Sequence, residues 1–141
     1  MTYKDLLDKH TEEANSFSQD KIYFIFGSED EIYKQLEETG HSLDEFINIG
    51  GGGFLLKEYK NEFYELLDRQ AQEKKDYLMA NVYEVVNYYY WDYEVYISLD
   101  YNYTNILTEL LGMTPEEIEA NKDEINRARE DYIREFEKLN I

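Results

Sequence analysis

The sequence predicts an α+β fold that is mostly helical, with five or six helices around a two- or three-stranded antiparallel sheet. Three observations carry that expectation. Long stretches repeat apolar residues at helical spacing with helix stop and start signals between them. Two short runs of β-branched and aromatic residues lie beside glycines, as hairpin strands do. The 141 residues contain one proline, no cysteine and no internal repeat or linker, so residues 1–141 read as one domain.

Residues 2–18 form the first predicted helix. Thr2 can cap it, and Tyr3, Leu6, Leu7, His10, Ala14 and Phe17 make one apolar stripe. Lys21 to Phe26 is a short apolar run ending at Gly27, predicted as a strand buried on both faces. Ser28 opens a second helix with Glu31 at the capping-box position and Ile32, Tyr33 and Leu36 as its stripe; Gly40 stops it. A connector from His41 to Asn48 holds a possible helical turn begun by Ser42. Ile49 and the run Gly50, Gly51, Gly52, Gly53 then lead to Phe54-Leu55-Leu56. Here a strand, a tight turn and a second strand or helix start are expected, paired into a small sheet with residues 22–26.

Residues 57–80 make a long helical pattern without glycine or proline, with Tyr59, Phe63, Leu66, Leu67 and Gln70 along one side. A further helix runs from Val82 to about Trp91. The alternation from Trp91 to Leu99 suits a strand or a loop, or a continued helix. Asn102 or Thr104 opens a short helix through Ile106, Leu107, Leu110 and Leu111, ended by Gly112. Thr114-Pro115-Glu116-Glu117 is a strong helix start, with a capping threonine, a first-turn proline and acids at the positive end of the dipole. The last helix spans about Asp123 to Leu139, with Ile125, Ala128, Tyr132, Ile133, Phe136 and Leu139 inward.

Charge is the clearest global signal. Thirty-two acids face 14 Lys and Arg, a formal net charge of -18. Such a surface repels nucleic acid and anionic lipid and steers basic proteins towards itself. No apolar run approaches the length of a membrane helix, about 20 residues. The first residues show no signal-peptide pattern, and the lack of cysteine fits a reducing cytosol.

The charge is unevenly distributed along the chain. Residues 76–121 hold no Lys or Arg, but nine acids, nine tyrosines and Trp91. Carboxylates mixed with phenols suit a contact surface: the acids meet partner Lys and Arg, and tyrosines supply area at low side-chain entropy cost. The partner-binding residues expected on that basis are Glu84, Tyr90, Asp92, Tyr93, Glu94, Tyr96, Asp100, Tyr101, Tyr103, Glu116 and Glu117. About half of the tyrosines are expected in the core.

Catalytic signals are weak. The glycine run lacks the Gly-Lys-Ser/Thr ending of a phosphate loop, since Gly53 is followed by Phe54-Leu55-Leu56, so Gly50 to Gly53 read as a structural turn. His10 and His41 are isolated from other ligand types. No serine sits in a nucleophile-elbow sequence. Asp92 and Glu94 are not part of a calcium loop, and a solvated acidic face is the plainer reading. No enzyme, metal or cofactor is expected.

Phe24-Ile25-Phe26, the Gly50–Gly53 run with Phe54, the tyrosine-rich middle and Leu111-Gly112-Met113-Thr114-Pro115-Glu116-Glu117-Ile118 together resemble a family of small acidic proteins of phages and mobile elements, over residues 20–135. In length and composition the chain also resembles anti-CRISPR proteins directed at Cas9-type effectors. That resemblance implies an inhibitor that evades host defence in the bacterial cytosol. It would bind a basic effector, Cas9 or its guide-RNA complex, as a DNA mimic or by blocking a conformational step, and would not bind nucleic acid itself. The alternative is a phage structural or regulatory protein that self-associates through its tyrosines.

Overall fold

The structure is a computed structural model that describes residues 1–92, 103 and 105–139. It is α+β and mostly helical, with one small antiparallel sheet. Two compact units divide the chain: residues 4–72, and residues 1–3 with 73–141. No described helix is long and apolar enough to cross a membrane.

The first unit holds most of α1 (Tyr3–Ser18), then β1 (Ile22–Phe24), α2 (Glu29–Glu38), a 3₁₀ turn (Leu43–Glu45), β2 (Phe46–Gly50) and β3 (Gly53–Leu56). The 3₁₀ turn Lys57–Tyr59 leads from β3 into α3 (Lys60–Ala80). Strand order is β1-β3-β2, with both pairings antiparallel. Ile22 faces Leu55 on one side of the sheet, and Tyr23 faces Phe54 on the other. Ser28 caps α2 by accepting the Glu31 N–H, as its sequence position predicts. Leu36 of α2 joins Ile25, Phe46 and Leu56 in a core ringed by Tyr23, Ile32, Phe54 and Tyr59.

Two expectations for this region are corrected. Residues 22–24 are not a strand buried on both faces. They form a sheet edge, and Phe24 and Phe26 are 61% and 71% exposed. The second strand also begins earlier than expected, at Phe46, because residues 46–48 pair with Leu56, Leu55 and Phe54. The glycine run makes the hairpin turn, with Gly50, Gly51 and Gly52 all at positive φ. At Gly52 a Cβ would come within 2.3 Å of the Phe26 ring, so the missing side chain makes room for that phenylalanine.

The second unit is helical. It contains α4 (Val82–Asp92), a π-helical turn (Ile106–Leu110), α5 (Pro115–Ala120) and α6 (Lys122–Leu139). Thr114 and Glu117 form the full capping box that the sequence announces. The short helix expected near residue 104 is wound wider. Leu111 N–H bonds to the Ile106 carbonyl, five residues back, before Gly112 turns the chain at φ 62°. α4 packs along α6, burying Val82, Val85, Val86 and Tyr90 with Ile125, Ala128 and Tyr132. Leu139, expected inward, is 72% exposed at the end of α6.

Candidate protein-contact surfaces

Of the four tyrosines of α4, Tyr90 is buried and Tyr83, Tyr88 and Tyr89 are half-buried. Tyr90 and Tyr132 are fully buried, and Tyr103 is nearly so. Their rings pack edge to face at 4.9 Å between Tyr90 and Tyr103, while Tyr132 also meets Trp91 at 4.8 Å. Burial pushes the Tyr90 hydroxyl well above the usual phenol range, so it remains neutral. Tyr90 and Tyr103, expected on a contact face, are therefore core residues in this structure. Aromatic pairing across α4 and α6 is what takes them in.

Tyr3, Tyr77, Tyr88 and Tyr89 form a second cluster. The Tyr3 ring meets those of Tyr88 and Tyr89 at 5.3 and 5.6 Å, and the Tyr3 and Tyr89 hydroxyls lie 2.6 Å apart. Glu84 serves this cluster. Its two oxygens accept the Tyr3 N–H and the Tyr77 hydroxyl, each at 2.6 Å. Burial first, and the Tyr89 hydrogen bond second, push the Tyr3 phenol far above its ordinary range.

The expected acids divide into two groups. Glu117 is held from two sides, closing the Thr114 cap and pairing with Lys75 at 2.9 Å. The Thr114 backbone N–H, more than Lys75, holds its carboxyl below the usual range. Asp92 and Glu116 are exposed. Tyr93, Glu94, Tyr96, Asp100 and Tyr101 lie outside the described residues.

α6 brings cations to this unit, set among six acids of its own. It carries Lys122, Arg127, Arg129, Arg134 and Lys138. Arg127 stacks on Tyr83 at 4.5 Å and Arg129 on Tyr103 at 4.4 Å. The Tyr83 hydroxyl donates to Asp131 at 2.5 Å, and Arg134 also pairs with Asp131. Those contacts, the Tyr83 bond foremost, hold the Asp131 carboxyl low. A stretch of sequence without Lys or Arg thus packs against a helix that supplies both.

A different acidic surface lies in the unit of residues 4–72. α2 supplies Glu29, Asp30, Glu31, Glu37 and Glu38, and the 3₁₀ turn adds Asp44 and Glu45. Lys34 is the single Lys or Arg of residues 29–45. Asp44 is held ionised by the Ser42 hydroxyl, and His41 Nδ1 lies 2.8 Å from Glu45. Between α2 and the sheet lies an open groove of about 430 Å³. Ile32, Leu36, Phe46 and Phe54 line it, with Tyr33 and Leu43 at its lips. Tyr33 and Leu43 are 45% and 36% exposed, and the Tyr33 hydroxyl is tied to Glu29 at 2.7 Å. The sequence reading assigned Tyr33 to the apolar stripe and did not single out this surface. The signal available was the density of acids in α2 against one lysine.

The model of DUF7659, a family of unknown function, matches residues 2–135. The chain belongs to this family. No curated protein and no solved structure matches it. The DUF7659 match spans the hairpin, the groove and the α4–α6 core together.

Proposed function

We propose that this DUF7659 chain is a non-enzymatic binding protein whose partner is a basic protein. The observation that carries the reading is the placement of Glu37 and Glu38. Both are exposed in the last turn of α2, where the helix dipole is negative, and no basic residue stands in that turn. Carboxylates there cost the helix a few tenths of a kcal/mol each instead of stabilising it. Charge placed against the fold's own preference points to a role outside the fold. With a net charge of -18 behind it, the surface would capture basic partners by electrostatic steering. Nucleic acid and anionic membranes are disfavoured by the same sign of charge.

In its specific form, the reading is an inhibitor from a phage or mobile element that acts on a type II, Cas9-type effector in the host cytosol. What supports this form is chemical fit: such effectors hold nucleic acid in positively charged channels and read the flanking duplex with arginines. Asp92 and Glu116 are further exposed acids available to such a partner. A Cas9 cleavage assay titrated with the purified chain at two salt concentrations, with a gel shift for effector–DNA binding, tests it. Joint loss of cleavage and DNA binding is the result expected of a DNA mimic. Loss of cleavage alone would place the block at a later conformational step. Full cleavage at both salts removes the Cas9 assignment, and absence of affinity for any basic protein removes the wider reading.

A further inference from the structure

We infer that the groove between α2 and the sheet seats the apolar side of a basic amphipathic helix from the partner protein. This rests on the electrostatic reading above and adds where, and by what chemistry, the partner is gripped. The groove has the composition that helix recognition uses, an aliphatic and aromatic floor interrupted by one polar residue, Asn48, with an open top. Phe46 and Phe54 form that floor from neighbouring strands, and Ile32 and Leu36 form the wall from α2. Tyr33 is held at the lip by its bond to Glu29, which lowers the entropy cost of contact.

Charge complementarity selects the occupant. Acids border the groove at Glu29 and continue along residues 29–45, beyond the reach of a small molecule seated on the floor. A helix with Leu or Phe at i, i+3, i+4 and i+7 and Lys or Arg elsewhere would fill the floor and meet those carboxylates at once. An acidic or neutral apolar peptide would leave the carboxylates unmet. The exposed pair Phe24 and Phe26 offers apolar area too, but at the β1 edge and without the lining of the groove.

The test uses the full chain and three fluorescent peptides of equal length: an amphipathic Leu/Lys helix, an all-Lys peptide and an amphipathic Leu/Glu helix. Anisotropy should show the Leu/Lys peptide binding about tenfold or more tighter than all-Lys, with the Leu/Glu peptide not binding. The double variant Tyr33→Ser, Leu43→Ser changes exposed residues only. It should bring Leu/Lys binding down to the all-Lys level and leave all-Lys binding unchanged. The variant Phe24→Ser, Phe26→Ser should retain the Leu/Lys preference. Equal binding of Leu/Lys and all-Lys by the native chain would overturn the groove and leave the electrostatic reading standing. No binding of either would overturn both. A Leu/Lys preference that survives Tyr33→Ser, Leu43→Ser, or is lost with Phe24→Ser, Phe26→Ser, would also overturn the groove. So would a native chain that sediments as a dimer and becomes monomeric in the Tyr33/Leu43 variant, because a second copy would then be the occupant.

Discussion

Residues 76–121 and residues 29–45 are both acid-rich in sequence, yet the fold uses them differently. In the first region several of the described groups are engaged inside their own unit, while Asp92, Glu109 and Glu116 are exposed. Glu84 binds Tyr3 and Tyr77, Glu117 closes a cap and binds Lys75, and Tyr90 and Tyr103 are core. In the second, one lysine stands among seven carboxylates in the sequence, and Glu29 of these lines an open, largely apolar groove. The difference lies in what folds back onto each segment. α4 meets a helix whose Arg127 and Arg129 stack on Tyr83 and Tyr103, whereas α2 lies on an uncharged sheet. Acid density along a chain therefore marks a contact face only when no basic element returns to cover it.

If this contrast is sound, truncations around α4 should cost stability, and changes on α2 should not. The largest effect is expected for Tyr132→Ala, which empties a fully buried position between Tyr90, Trp91, Tyr103 and Phe136. Its cost should be about 4 kcal/mol by urea unfolding. A loss under about 1 kcal/mol would mean that this aromatic cluster is not a core. Next is Glu84→Ala, which leaves the Tyr3 N–H and the Tyr77 hydroxyl without their carboxylate, at about 2 kcal/mol. If Glu84→Ala were neutral, Glu84 would return to the list of surface acids.

Thr114→Ala should cost about 1 kcal/mol, because it removes one half of the capping box. Glu117, the other half, makes a pH prediction. Its folded pKa lies below its unfolded value, so its contribution is complete above the ordinary carboxylate range and is lost as pH falls through the lowered folded value. Denaturation midpoints measured below about pH 4 should therefore decline less steeply for Glu117→Gln than for the native chain. Parallel pH profiles would show that the Lys75 and Thr114 contacts contribute nothing in solution.

The caps and the helices were legible because they depend on local chemistry. Ser28, Thr114 and Pro115 act on backbone groups within four residues, and α1 and α6 follow their apolar stripes. The hairpin was legible from the glycines, and its pairing with residues 22–24 from the need to satisfy short strands. What did not show was the side of each element that faces solvent. Period and composition put Tyr33 on the buried stripe of α2 and Phe24 in a buried strand. Whether a neighbour covers those positions depends on strand order and on the width of a three-stranded sheet, which no local window contains. Tyr90 and Tyr103 were likewise counted in the expected contact face, because the return of α6 with Arg127 and Arg129 is a long-range event.

The smallest stability effect has the opposite sign. Glu37→Gln with Glu38→Gln removes two negative charges from the negative end of α2, so the chain should gain a few tenths of a kcal/mol. The same change should slow association with a basic partner and flatten its salt dependence, while the dissociation rate changes little. Stopped-flow association at two salt concentrations, set beside the unfolding curve of the same double variant, measures both quantities. A gain in stability with a slower association rate would mean that α2 keeps these charges for the partner at the helix's expense. A gain with an unchanged rate would make them an incidental part of a solubilising coat. The asymmetry between the two acidic regions would then describe folding alone.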